Sequence, residues 1–179
     1  MKDDKSFSKF QVFSTIFSLI AGVLLHFAYE WSENNTFVGL FSAVNESTWE
    51  HLKLIFFPML ITLIIGYFIL KNAFPNYICA KTIGIITAML FTIIFFYTYT
   101  GIIGTNYDFL NISTFFIAVI LGEYITYKLT SNKFACNRYF YTIILILLTF
   151  YFFIFTFNPP KIGLFKDPID NSYGIQKSF

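Results

Sequence analysis

Residues 54–70 read "LIFFPMLITLIIGYFIL", seventeen positions without a charge, and directly before them residues 45–53 read "NESTWEHLK". A helix crossing the hydrocarbon of a bilayer needs about 20 predominantly apolar residues, so the apolar run between Lys53 and Lys71 is one span with a polar lip. Counting between charges in the same way gives four further runs, and the predicted helices cover about 10–29, 48–70, 82–103, 109–130 and 139–157. Strands are not expected: alternation is absent, and an open sheet cannot satisfy its backbone in lipid. The expected fold is all-α, a five-helix transmembrane bundle.

Composition agrees. Of 179 residues 56% are hydrophobic and only 12% charged, too few polar groups to cover a soluble globule of this size. The apolar run at 10–29 follows Lys2, Lys5 and Lys9 as a signal peptide would. It is longer than an h-region, and no small-x-small cleavage site precedes Glu30, so it is read as a retained helix. No repeat or linker divides the chain: residues 1–158 form one membrane domain. Residues 159–179 form a tail, in which Pro159 and Pro160 end the fifth helix and "KDP" and "DNSYG" carry turn chemistry. Ile162, Leu164, Phe165, Ile169, Tyr173 and Ile175 make that tail too apolar for a solvated disordered segment, so it is expected to pack as an ordered layer on the outer face.

Orientation follows the distribution of Lys and Arg. With the N-terminus inside, eight of them (Lys2, Lys5, Lys9, Lys71, Lys81, Lys128, Lys133 and Arg138) lie on the cytoplasmic side. Lys53, Lys161, Lys166 and Lys177 lie opposite, which favours N-in, C-out. The net charge of +2 gives no case for nucleic acid as a partner. Cys79 and Cys136 then sit at cytoplasmic ends and are expected to be free thiols, with no CxxC or zinc spacing.

The polar lip has a helix-start reading. Ser47 to Glu50 is S-x-x-E ahead of an apolar run, the capping box in which Ser47 accepts from the amide of Glu50 while Glu50 reaches back. Asn45 is an alternative N-cap, and Trp49 suits the membrane interface. Capping leaves His51 unexplained. His26 and Glu30, four apart on one helix face, rise to the same level, as do Tyr97, Tyr99 and Thr100 before "GIIG". Pro58 also frees the carbonyl of Leu54 one turn inside. Two histidines thus share one end of the bundle with Glu30, Glu46 and Glu50. Glu123, in "VILGEYITY", costs about 2.5–3.5 kcal/mol at a helix centre on insertion scales, so it should face the interior and meet a partner.

The combination "LLHFAYEW", "GLFSAVNESTWEHLKLIFFPML", "YTYTGIIG" and "PPKIGLFKDPIDNSYGI" resembles a family of small bacterial polytopic membrane proteins of unknown function, over nearly the whole chain. The NES-x-WEH-x-K block is its most specific part. The resemblance implies a bacterial cytoplasmic membrane location and a five-helix unit, and it carries no activity or catalytic residue.

Three function classes stay open. In the first, a membrane-embedded enzyme of hydrolase type, His26, Glu30, Glu46, Glu50 and His51 are the catalytic candidates, either supplying acid and base directly or, through His26, His51 and Glu50, binding a divalent metal ion as cofactor. Asn45, Ser47, Trp49, Lys53, Tyr97, Tyr99, Thr100, Glu123 and Asp167 are candidate binding residues for a lipid or small amphiphile. The second class is an ion-coupled transporter with Glu123 as its protonatable group. The third is a non-catalytic accessory membrane protein. No HExxH or comparable ligand spacing decides among them.

Overall fold

The computed structural model of the protein describes residues 2–70, 72–132 and 134–175; Lys71, Lys133 and Lys177, which enter the charge count, lie outside them. Six α-helices follow in chain order: α1 Lys2–Trp31, α2 Thr36–Gly39, α3 Thr48–Leu70, α4 Tyr77–Ile103, α5 Asp108–Ser131 and α6 Arg138–Phe157. All but α2 are long and apolar enough to cross a membrane, the architecture of a multi-pass membrane protein. Among the described residues there is no strand; a single antiparallel bridge, Lys166 to Tyr173, folds the tail back after a 3₁₀ turn at Gly163–Phe165.

The long helices run antiparallel to their sequence neighbours. α1, α3, α4 and α5 pack as a four-helix ring, with α6 laid against α3 and α4. Leu52, Ile55, Phe56, Phe57 and Met59 of α3 form the core with Ile85, Ala88 and Met89 of α4, Ala118 and Val119 of α5, and Leu145 and Phe152 of α6. α3 is the most buried helix, and Pro58 lies inside it. α1, α5 and α6 present rows of exposed Ile, Leu and Phe, the surface a bilayer would solvate.

α4 begins five residues before the predicted 82, and this changes the reading of Lys81. Its ammonium lies inside the bundle, fully buried, paired with the Glu123 carboxylate of α5. Gln11 Nε2 donates to the same carboxylate and to the Glu123 carbonyl (2.9 Å), and Ser14 Oγ donates to Glu123 Oε1 (2.9 Å). Lys81 also donates to Ser14 Oγ (2.9 Å). The close approach of the two helices sets this up. One turn away α4 and α5 touch through glycines, and a Cβ on Gly122 would lie 2.6 Å from the carbonyl oxygen of Gly84. Lys81 is therefore not a flanking loop charge, and neither is Lys53, which is fully buried in the first turns of α3.

The cysteines also differ from expectation. Cys79 and Cys136 are bonded to each other, joining the start of α4 to the α5–α6 connection at the α1 N-terminal end of the bundle. Their separation of 57 residues gives no spacing signal; the fold brings their Cα atoms to 6.4 Å.

Lys81→Met would strand the Glu123 carboxylate in the interior. It is expected to cost about 3–5 kcal/mol of unfolding free energy in detergent, with Lys81→Met/Glu123→Leu recovering most of the loss. A Lys81→Met protein as stable as the wild type would place the pair in water.

Candidate functional site

The end of the bundle opposite the disulfide gathers the C-termini of α1, α4 and α6, the N-termini of α3 and α5, and the tail. The capping of α3 is half as predicted. Ser47 Oγ accepts from the Glu50 amide (3.4 Å), but Glu50 does not reach back to Ser47. Its Oε2 takes Lys53 Nζ at 2.6 Å and the amide of Val44 at 3.1 Å, with the side chain almost wholly buried. Asn45 Oδ1 instead accepts from the Ser47 amide (2.9 Å), an Asx turn ahead of the cap. A buried ammonium one turn further along the helix displaces the cap because no water competes for the carboxylate.

Lys53 spends its remaining hydrogens on the carbonyls of Gly39 (2.8 Å) and Ser42 (3.3 Å) and on Thr156 Oγ1 of α6 (2.6 Å). The pair thereby ties α3, the 39–44 connection and α6 into one knot. Glu50, expected from sequence as base and metal ligand, is instead held in this knot through Oε2, as is Lys53, and its Oε1 is buried without a hydrogen-bond partner among the described residues.

Glu46 and not Glu50 stands with the histidines. The rings of His26 and His51 lie 5.2 Å apart between centroids, and His51 Nε2 is 3.4 Å from Glu46 Oε2. One donor atom from each of His26, His51 and Glu46 falls within 4.8 Å of the others. His51 Nδ1 is 3.0 Å from the carbonyl oxygen of Ser47. A carbonyl only accepts, so Nδ1 carries a hydrogen and Nε2 is the nitrogen turned toward Glu46. His26 Nδ1 is buried with no hydrogen-bond partner among the described residues. Glu30 is exposed one turn beyond His26, outside the trio.

Glu46 and His51 form one lip of a cavity of about 150 Å³. Its floor is Leu54, Ile55, Thr92, Phe96, Thr114 and Phe115, and its far wall is Asn106, Asp108 and Asn111. Tyr99 braces that wall, donating to Asn106 Oδ1 (2.9 Å) and contacting Asn111 Oδ1. Tyr97 is exposed, and Thr100 turns back to the carbonyl of Phe96 (2.7 Å), so neither lines the cavity. Glu123 lies far away, in the knot with Lys81.

The tail supplies the remaining edge through Pro168 and Ile169. Phe165 is buried against Trp49 (4.8 Å between centroids) and Phe155 (5.2 Å). The amide of Glu46 donates to Asp167 Oδ2 (2.8 Å), and Asn45 Nδ2 donates to the carbonyl of Gly174 (3.1 Å). Asp167 Oδ1 also caps its own turn, accepting from the amide of Ile169 (2.7 Å). Gly174 has φ +63°, and a Cβ there would meet the Thr156 carbonyl at 2.7 Å, which the next amide, Ile175, uses at 2.9 Å.

A family model described as "Family of unknown function (DUF6512)" matches residues 1–175. The chain belongs to DUF6512. No curated protein and no solved structure matches it. What this DUF6512 chain does must therefore come from its own geometry. The far wall and the knot around Glu123 were missed in the sequence of this DUF6512 chain, although signals exist for both. "TNYDFLN" at 105–111 is a polar run between two spans, and Gln11, Ser14 and Ser18 repeat along one face of a lipid-exposed helix.

Two outcomes are expected at this end of the molecule. Glu50→Gln leaves the Lys53 charge buried without its counter-ion and should lower the unfolding free energy by about 3 kcal/mol, far more than loss of a cap. Gly174→Val should release the tail: amide exchange across residues 163–175 should accelerate at least tenfold while the helices keep their protection. Unchanged exchange there would mean that the tail is held by other contacts.

Proposed function

We propose that this DUF6512 protein is a membrane-embedded enzyme of hydrolase type, acting on a lipid or similar amphiphile whose polar part enters the cavity between α3, α4 and α5. The observation that carries the reading is the convergence of His26, His51 and Glu46, of which His51 and Glu46 line the mouth of that cavity, with the His51 Nδ1 hydrogen held by the Ser47 carbonyl. Groups able to activate water stand on one side. Amides able to orient a polar substrate, Asn106 and Asn111, stand on the other, and the floor is apolar. In such a reaction a water oxygen bonds to the electrophilic centre, the scissile bond breaks, and the water proton leaves with the departing group.

The tail would act as a rim that keeps bulk water from the reacting end, since Pro168 and Ile169 border the cavity and Phe165 anchors them. The transport reading draws less from the structure, because Glu123 is saturated by Lys81, Gln11 and Ser14.

The site faces outward in the orientation we favour, in a bacterial cytoplasmic membrane. With Lys53 and Lys81 buried, the Lys and Arg count still favours N-in by seven to three. The Cys79–Cys136 bond pulls the other way, since disulfides persist in oxidising compartments. Blocking free thiols in living cells before lysis separates the two. The N-in orientation expects both cysteines reduced and alkylated in the cell, and a protected disulfide there would reverse it.

The activity is tested by incubating purified protein with a total lipid extract of its host membrane and following all species by mass spectrometry. At least one amphiphile should disappear, with two products whose masses sum to substrate plus one water, and His51→Ala should abolish the change. Identical lipid profiles for wild type and His51→Ala would reject the enzyme.

A further inference from the structure

We propose that His26, His51 and Glu46 hold one divalent first-row transition-metal ion, with an open coordination position toward the cavity. This rests on the reading of the cavity as a hydrolytic site and specifies how that site would activate water. Four observations lead to it.

The first is the donor set. The chain has two histidines, and both are here, 25 residues apart in sequence but on adjacent helices, with a carboxylate completing the trio. Two imidazoles and one carboxylate select zinc or a neighbouring first-row ion over magnesium or calcium, which prefer oxygen ligands alone.

The second is a mismatch that the protein leaves unresolved. With His51 Nδ1 donating to Ser47, neutral Nε2 and Glu46 Oε2 are both acceptors, and they face each other at 3.4 Å. Two lone pairs at that separation repel unless a cation lies between them. A second proton on His51 would serve Glu46 alone, whereas a metal ion between them also comes within reach of the His26 donor, which lies within the same 4.8 Å. A metal ion satisfies both acceptors.

The third is the orphaned Nδ1 of His26, buried without a partner beside the same ring. A buried polar nitrogen with no hydrogen bond costs about 1–3 kcal/mol, a cost that ligation would remove.

The fourth is the surrounding field. Glu46 and Asp108 line the cavity, and among the described residues no Lys or Arg does, so the site attracts cations and offers no competing ammonium. Two ligands are also braced by the chain. The Ser47 carbonyl orients His51, and Asp167 holds the Glu46 amide at 2.8 Å. Glu46 is the exposed member, and its side chain supplies the adjustment needed to close three ligands around one ion. Three protein ligands leave a position for water, the arrangement in which a metal lowers the pKa of that water toward 7.

The test uses full-length, tag-free protein in detergent, stripped with a chelator and titrated with Co²⁺ and, separately, Zn²⁺. One equivalent of Co²⁺ should bind with visible d–d absorption, and Zn²⁺ should compete for it and raise the melting temperature. His26→Gln, His51→Gln and Glu46→Gln should each weaken binding at least tenfold and abolish the Zn²⁺-induced shift, whereas Glu33→Gln, an exposed acid at the same end, should change neither. Should a histidine variant fail to fold, Glu46→Gln on the exposed lip keeps the test decisive. Absence of stoichiometric Co²⁺ binding, or binding indifferent to all three substitutions, overturns the site. Lipid turnover that survives complete stripping would overturn the metal while sparing the enzyme. Stoichiometric metal without any turnover would sustain the site and remove the hydrolase.

Discussion

An ammonium buried in an apolar bundle has to be met by protein, and Lys53 determines much of what surrounds it. Its three hydrogens and its charge are answered by Glu50, two carbonyls of the α2–α3 connection and a threonine of α6. Those groups come from three segments, α3 itself, the 39–42 stretch and α6, so one side chain fixes where the segments meet. The Val44 amide adds to the knot through Glu50. With residues 39–44 pinned on one side and α3 on the other, the short stretch carrying Glu46 and Ser47 has little freedom left. His51, one turn into α3, inherits that rigidity.

The polar residues of this end divide into two sets that the sequence interleaves. Glu50 and Lys53 point inward and are buried, while Glu46 and His51 point to the cavity and are partly solvated. On the first turns of α3, positions 50 and 53 share one side and 51 lies on another, and the side that finds Thr156 and the 39–44 carbonyls becomes structural. A second buried pair, Lys81 with Glu123, does the same service near the other end, where α1, α4 and α5 meet. Both ionic knots are closed by hydroxyl, amide or carbonyl partners, as burial in so apolar an interior demands. The histidine cluster differs in lying at the cavity rather than inside the bundle, and it keeps a buried ring nitrogen, His26 Nδ1, without a partner among the described residues.

The all-α fold, the five long helices and the inward-facing Glu123 were legible from charge-free run lengths and from the cost of a bare carboxylate in lipid. The α4 start was not. A lysine reads as the edge of a span, yet Lys81 lies one turn inside because Glu123, 42 residues later, neutralises it. Likewise the pairing of His26 with His51 was readable from their common level, but the choice between Glu46 and Glu50 was not. It depends on Lys53 turning inward, which no local spacing reports. The Cys79–Cys136 bond joins distant segments and shows only when the helices are packed, and packing likewise brings the polar run at 105–111 opposite His51.

The Glu50–Lys53 pair is the organiser of this end of the bundle, and a double-mutant cycle measures that directly. Unfolding free energies in detergent would be compared for wild type, Glu50→Met, Lys53→Met and Glu50→Met/Lys53→Met. A buried pair predicts that each single change is costly, that the double variant is more stable than either single one, and that the coupling is at least about 2 kcal/mol. Additive effects, with the double variant losing the sum of the two single losses, would contradict it and leave the segments around Glu46 and His51 held by packing alone.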